Sequence, residues 1–382
     1  MTDFEIRTKR LQDYLSKNNI DAAIITSNPG LIYYVGKVMF CYYYVPKQGE
    51  AQLFVKMPAG LTGCTYFKSP KQLPSLIEGA ELPLPQTILL ENGNISADEY
   101  LMLTKILNAK GIDRTNFFRT QRSVKSETEI NILRETAKVH CDAYRLIPSL
   151  YKKGMTDIEL SVAIEAELRR MGHLGIFRTF GYRLEAFVGS VLAGENAAYP
   201  ASMDFALGGK GVPTTSLGAC GNVIAEGTSV IVDLSNNLSG YVTDLSRTFS
   251  VGKLTDEAYA MHNVSIEIQK VLEREAKVGA RCCDLYERAL NIASAHGFED
   301  RFMGREQKAK FVGHGLGIEI NEPPVLAPRV ETELVEGMAI ALEPKFIADG
   351  VGAVGTENTF VVHSDGLERL TDMPEEIIDL LE

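Results

Sequence analysis

The sequence predicts two domains, a small α/β domain over residues 1–122 and an α+β domain over residues 123–382. Three observations carry this. The chain has 382 residues, too many for one ordinary hydrophobic core. Residues 1 to about 120 alternate helix-like and strand-like segments, as small α/β domains do. Beyond them, two long helical patterns are followed by strands, and that order recurs, a rough duplication in element order though not in residues.

Each element has a local reason. FEIRTKRLQDYLSKNN is amphipathic at the helical period. DAAIITS reads as a short buried strand, and YYVGKVMFCYYYV, AQLFVKM and TILLENG read as further strands. SADEYLMLTKILNAKG returns to helix, with Ser96 as its N-cap. Charge density rises from Arg119 to Lys125, which marks the domain boundary. Ser126 and Glu129 then form the S-x-x-E capping-box pattern, and Thr156 and Glu159 repeat it after a break at Lys153–Gly154. Two more helices are expected, one after Thr255 and one over CDLYERALNIASAHG.

Composition excludes several classes. Hydrophobic residues make up 45% and charged residues 23%, as in an ordinary soluble protein. The net charge is −11 and the pI near 5.2, which argues against a nucleic-acid partner. MTDFEIRTKRLQDYL has no apolar secretory core, and no run of 18 apolar residues suggests a membrane span. The six cysteines are scattered with no CxxC, so reduced thiols in a cytoplasmic protein are expected, ahead of a redox pair at Cys282–Cys283.

The informative stretch is VIVDLSNNLSGYVTDLSRTFSV. It reads as two apolar strands about a polar turn, each with one carboxylate, Asp233 and Asp244. A turn centred between Leu238 and Ser239 sets the two directly opposite, with Cβ atoms roughly 4.5–5.5 Å apart. GMAIALEPKFIADGVGAVGTENTFVV repeats the plan, with Glu343 and Glu357 opposed about Gly350 in an Asp-Gly turn signal. Carboxylates are almost never fully buried without a partner. His314, in FVGHGLGIEI, is a fifth candidate, because its flanking glycines leave the ring unshielded and let backbone approach closely.

Four carboxylates and a neutral imidazole are balanced by two divalent cations; one cation would leave two negative charges in a low-dielectric interior. Oxygen-rich ligation with one imidazole and no thiolate suits Mn, Fe, Co or Zn. Paired ions roughly 3.5–4 Å apart can share a bridging hydroxide, which points to hydrolysis of a polarised carbonyl.

VDLSNNLSGYVTDLSRTF, FVGHGLGIEINEPP, GMAIALEP and VGTENTFVV together resemble the pita-bread metallopeptidases, the family of creatinase, aminopeptidase P, prolidase and methionine aminopeptidase. RSVKSETEINILRETA resembles the start of their catalytic domain. RLQDYL and DAAIITSNPGLIYYVG resemble the creatinase-type N-terminal domain, which methionine aminopeptidases generally lack. The resemblance implies metal ligands at Asp233, Asp244, His314, Glu343 and Glu357, with Glu343 also the proton shuttle. Creatinases do not keep these five ligands. The implied activity is that of an Xaa-Pro aminopeptidase or Xaa-Pro dipeptidase on small peptides, in a homodimer.

Three positions depart from the family pattern. Ala201, in GENAAYPASM, and Asn321, in GHGLGIEINEPP, stand where active proline-specific members carry histidines that contact substrate. Gly355 stands where an arginine often precedes the last ligand. Asn321 retains an amide that can donate, which makes it a catalytic candidate beside Glu343. These departures leave two alternatives: a non-peptidase hydrolase or lyase for a small amino-acid-like substrate, or a non-catalytic binding protein. His140, His173, His262, His296 and His363 are read as packing residues, as is the run Tyr42–Tyr44, with a dimer contact as its alternative. Arg178 and Arg183 are weaker candidates for a substrate carboxylate. Gly209–Gly211 is read as a loop, with no strand-to-helix context for a phosphate.

Overall fold

The structure, a computed structural model, describes every residue except Tyr182, Arg183, Glu185, Asp204 and Glu382; Arg183, one of the two candidate arginines, therefore lies outside the described residues. The chain divides into two compact units, Met1–Arg122 and Ser123–Glu382.

The first unit is built on a six-stranded mixed sheet. Its strands run in the order Thr65–Tyr66, Gln52–Met57, Phe40–Pro46, Ala22–Ile25, Thr87–Leu90 and Lys110–Asp113. Tyr42 and Tyr44 pack in its core with Phe54, Ile88 and Leu103. The helix Asp3–Lys17 opens on a Thr2–Glu5 capping box, and Ser96 accepts a hydrogen bond from Glu99 N at the start of Ala97–Leu107. One expectation fails here. Tyr33 to Val35 belong not to a strand but to a helix, Asn28–Val35. Ser27 caps that helix, and Pro29 sits in its first turn, where a missing N–H costs nothing.

The second unit repeats one plan, a helix pair against a sheet. The helices Glu127–Arg145 and Asp157–Arg170 each start with a capping box, at Ser126–Glu129 and Thr156–Glu159. Their apolar faces (Tyr144, Leu160, Ile164) share a core with Val191, Val230, Val232, Leu245 and Phe249. Those last residues belong to a four-stranded sheet, ordered Ile378–Asp379, Val242–Ser250, Ser229–Asn237 and Gly189–Ala193. The helices Asp256–Glu275 and Cys282–Ala295 share a second core (Ile268, Leu272, Ile292, Ile340, Leu342, Phe360). This core backs a five-stranded sheet, ordered Glu322–Leu326, Gly313–Gly315, Ala339–Leu342, Asn358–Val362 and Leu367–Arg369. Among the described residues, no helix is long and apolar enough to cross a membrane.

The first carboxylate hairpin has a different register from the expected one. Asp233 faces Ser246, and Asp244 faces Ser235. The ladder closes at Asn237 and Val242, leaving Leu238–Tyr241 as the loop. The turn therefore centres one residue later, closed by the Gly240 N–H donating to Asn237 Oδ1 at 2.8 Å, with Gly240 at a φ of 102 that favours glycine. Moving a turn centre by one residue shifts every partner by two, so the carboxylates become diagonal neighbours but keep a common face.

The second carboxylate pair keeps its expected register but not its expected continuity. Leu342 pairs with Asn358 in the five-stranded sheet. Lys345 pairs with Gly355 in a separate two-stranded ribbon, Lys345–Ala348 with Gly352–Gly355. Glu343 and Glu357 lie between these two ladders, where the chain leaves one sheet for the other.

Candidate metal centre

At that fork the backbone amides bond elsewhere. Glu343 N donates to Val312 O at 2.9 Å, and Glu357 N donates to Ser246 O at 3.1 Å, on the four-stranded sheet. Thr359 adds a second stitch, its hydroxyl accepting from Asp244 N and donating to Asp244 O, both at 2.8 Å. The two sheets thus meet along the residues that carry the acids. All five of Asp233, Asp244, His314, Glu343 and Glu357 are brought together. They form two overlapping groups, Asp244–His314–Glu357 and Asp233–Glu343–Glu357, within each of which one ligand atom per residue lies within 4.8 Å of the others.

The first group has the donor chemistry of a divalent-metal site. His314 Nδ1 donates to Gly315 O at 3.1 Å. A carbonyl can only accept, so the proton on Nδ1 is fixed, and Nε2 is the atom turned toward Glu343 Oε1 at 3.3 Å and Asp244 Oδ2 at 3.7 Å. Glu357 Oε1 is buried with no hydrogen-bond partner. An unpaired buried carboxylate oxygen is costly, and a cation held by these three residues would satisfy it. The residues present therefore fit one metal ion here.

The second group already contains a cation. Lys345 Nζ donates to Asp233 Oδ2 at 2.7 Å, Glu343 Oε2 at 2.7 Å and Glu357 Oε2 at 3.0 Å. Its side chain is 0% exposed. The expected charge balance, four carboxylates against two dications, did not include this ammonium. Sequence reasoning missed Lys345, although a signal existed. In a strand of period two, residues 343 and 345 would point the same way, and Gly355, directly opposite Lys345, has no side chain. A Cβ at Gly355 would lie 3.1 Å from Lys345 Cγ and 2.6 Å from Pro344 O, so the glycine that departs from the family pattern is also the one that leaves the lysine its room.

The electrostatics follow from burial set against these neighbours. Burial pushes the Asp244 carboxyl up to about 7, with Asp233 adding to the rise. Burial and Asp244 push the Glu357 carboxyl well above its ordinary range. Burial would raise Glu343 too, but Lys345 and His314 outweigh it and hold this carboxyl down at about 2. Burial would lower His314, but Glu343 and Asp244 override it and raise the imidazole to about 9. Burial likewise opposes the Lys345 charge, and Asp233, Glu343 and Glu357 overcome it, raising its pKa well above the ordinary lysine value.

Arg247 is a second residue that sequence reasoning missed. Its guanidinium, buried behind the centre, donates to the carbonyls of Ser246, Glu357, Met373 and Pro374 and to the side chains of Thr356 and Asn358. It holds the Glu357 backbone against both the four-stranded sheet and the C-terminal segment.

Asn321 is engaged at both ends of its amide: Oδ1 accepts from Phe180 N at 2.7 Å, and Nδ2 donates to Phe180 O at 2.9 Å. Ile320 N donates to Arg178 O in the same pairing. Arg178 Nη1 is buried without a hydrogen-bond partner. Ala201 O accepts from Gln307 Nε2 at 2.9 Å; its methyl side chain has nothing to donate. The other five histidines have structural partners: Thr243 for His140, Gly175 N for His173, Glu375 O for His262, Glu267 for His296, and Glu336 with Glu368 for His363.

The model of "Metallopeptidase family M24" matches residues 131–364, more than half of the chain. A putative dipeptidase of Bacillus subtilis, YkvY, is 29% identical over 259 residues, which cover 68% of this chain and 63% of that protein. The Xaa-Pro dipeptidase of Pyrococcus horikoshii is 25% identical over 97% of this chain and 98% of its own length. The crystal structure of X-Pro aminopeptidase from Thermotoga maritima superposes with a TM-score of 0.81 at 21% identity, covering 98% and 99% of the two chains. That likeness assigns the pita-bread architecture with its additional N-terminal domain, and the family match assigns the chemistry of the class: the chain belongs to metallopeptidase family M24.

Proposed function

We propose that this protein is a metal-dependent exopeptidase that cleaves Xaa-Pro bonds in small peptides, as an Xaa-Pro dipeptidase or aminopeptidase. The single observation that carries the reading is the buried, unpaired Glu357 Oε1 beside Asp244 and His314. The proposed metal ligands are drawn from Asp233, Asp244, His314, Glu343 and Glu357, and Mn, Fe, Co or Zn suits these donors. A divalent ion bound there supplies Lewis-acid polarisation of the scissile carbonyl and brings the pKa of water toward neutrality. The chain's own residues do the rest. His314 would offer Nε2 to the ion once the ion displaces its proton, because Nδ1 is committed to Gly315 O. Glu343, held ionised by Lys345 and His314, accepts the proton released on attack and delivers it to the leaving amine. Asn321 acts on substrate through position, by fixing the backbone of Phe180. Arg178, with an unpartnered Nη1, is the cation proposed for the free carboxylate of a dipeptide.

The relatives named above, a putative dipeptidase and an Xaa-Pro dipeptidase, support the substrate class. Cytoplasmic residence is proposed on the six cysteines, all free thiols. A homodimer, with a creatinase-type N-terminal domain over residues 1–122, is proposed on the family resemblance, and sedimentation mass tests the assembly.

The deciding experiment loads the protein with Mn²⁺ or Co²⁺. It then compares Xaa-Pro dipeptides, their C-terminal amides and longer Xaa-Pro peptides, with Glu343→Gln as control. Metal-dependent turnover that falls roughly 10²–10⁴-fold in the Gln variant is expected. Equal turnover by the two proteins would sink the assignment, and equal rates on dipeptides and amides would remove Arg178 from it. A second reading, a hydrolase or lyase for a small amino-acid-like molecule, is favoured by one observation: neither Ala201 nor the engaged Asn321 replaces the missing histidines in kind. Turnover in a broad small-molecule screen, with none on peptides, would select it.

A further inference from the structure

We propose that Lys345 stands in for one of two dications, so that this protein binds a single divalent ion, between Asp244, His314 and Glu357. The inference rests on the metal-dependent reading above and deepens it.

The two halves of the acidic cluster are not equivalent. In the half formed by Asp233, Glu343 and Glu357, the ammonium of Lys345 lies 2.7, 2.7 and 3.0 Å from one oxygen of each residue. An ammonium has three protons, and here each meets a carboxylate, so its donor capacity is met in full by charge-assisted bonds. These are the same three residues that would have to close on a metal in that half. A transition-metal ion binds carboxylate oxygen at about 2.0–2.2 Å, so it would have to occupy the space between the three oxygens that Nζ occupies. Two cations cannot share that space, and the lysine has no solvated alternative close by, because its side chain is wholly buried.

The position is built rather than incidental. Lys345 opens the two-stranded ribbon two residues after Glu343, and its Nζ reaches back to Glu343 Oε2. Its cross-strand partner is Gly355, and any side chain there would press on Lys345 Cγ. Ser246 Oγ donates to the same Glu357 Oε2 at 2.9 Å, which ties that oxygen to this half. The other oxygen, Oε1, is left without a hydrogen-bond partner for the half where His314 Nε2 and Asp244 stand. Lysine and one dication offset three of the four acidic charges. The remainder falls beside Asp233, whose side chain at 23% exposure is the most open to solvent of the four.

The consequence is a mononuclear centre in which a fixed ammonium neutralises the second half. An ammonium can donate hydrogen bonds, but it has no coordination position to offer a substrate amine or a water. The substrate is therefore held by one ion and by the chain.

Metal content tests this without reference to activity. Chelator-stripped protein is dialysed to equilibrium against Mn²⁺, and bound metal per chain is measured by plasma mass spectrometry for wild type and Lys345→Gly. One ion in wild type and two in the glycine variant is the expected result. Two ions in wild type would overturn the proposal, as would one ion in both proteins. No metal in wild type would overturn the metallopeptidase reading itself. A measurement on wild type alone guards against a variant that fails to fold. Electron paramagnetic resonance of the Mn²⁺ protein should give the six-line pattern of an isolated ion, and an exchange-coupled multiline signal from a pair would refute the inference.

Discussion

The two halves of the acidic centre differ above all in the cation that already fills one of them, and that difference decides what each can do. Asp233, Glu343 and Glu357 surround a lysine ammonium. Among the described residues, Asp244, His314 and Glu357 enclose no lysine or arginine, and one of their oxygens has no partner. Both halves offer oxygen-rich, largely buried ligation, and only one adds an imidazole, His314. What decides between them is a residue outside the ligand pattern. A set of ligating side chains therefore specifies a metal site only when every charge that reaches it is counted, including one contributed from two residues further along the chain.

The largest expected effect comes from removing that charge. Lys345→Met should destabilise the metal-free protein by about 3–5 kcal/mol, the usual cost of leaving a buried charge without its partner. Saturating Mn²⁺ should restore more stability to this variant than to wild type, because an ion can then enter the vacated half. Urea unfolding with and without metal measures both. A loss below about 1 kcal/mol would mean that the lysine is a bystander.

The next effect separates the halves by affinity. Asp244→Asn removes a ligand from the half open to metal and should weaken Mn²⁺ binding by roughly 10²-fold or more, beyond the 10–100-fold typical of outer-shell losses. Asp233→Asn touches mainly the lysine half and should weaken it by less than about tenfold. Isothermal titration of the two variants checks the ranking, and equal losses would erase the distinction between the halves.

The smallest effect is a pH dependence. Asp244 rises from an ordinary 3.8 to about 7 through burial and Asp233. Folded, metal-free protein then holds a proton that the unfolded chain releases, a stabilisation present below about pH 4 and lost as pH rises to about 7. His314 moves from 6.5 to about 9, with Glu343 and Asp244 overriding burial. Its contribution is present below about pH 6.5 and is lost toward pH 9, the same direction. A bound dication displaces these protons, so the Tm gained on metal loading should widen by a few degrees between about pH 5 and pH 9. A constant gain across that range would contradict it.

Much of the fold and most of the centre are legible in the amino-acid sequence. The capping residues at Ser96, Ser126 and Thr156 announce their helices, because a side-chain oxygen followed by a glutamate three residues on has few other uses. The five acid and imidazole positions stand out because carboxylates interrupt apolar strands. The turn after Asn237 is harder. Asn237, Leu238, Ser239 and Gly240 can all form turns, and only the Asn237–Gly240 hydrogen bond selects the later centre. The helix at Asn28–Val35 hides behind a tyrosine-rich run with strand propensity, and tertiary packing overrides that propensity. Lys345 is readable from strand period and the facing glycine, but a lysine after a proline at the start of a short strand is ordinarily taken for a solvated edge. Arg247 is not readable at all, since four of its six acceptors are backbone carbonyls.

Arg247 also changes how the end of the chain should be regarded. Its guanidinium spans from the Glu357 carbonyl to those of Met373 and Pro374, while Glu375 anchors Asn358 through its carboxylate and His262 through its carbonyl. The polypeptide beyond Asp372 is thus the keystone of the acidic centre rather than a trailing strip. Clipping it would remove these anchors from the backbone around Glu357 while all five proposed metal ligands remained in the protein.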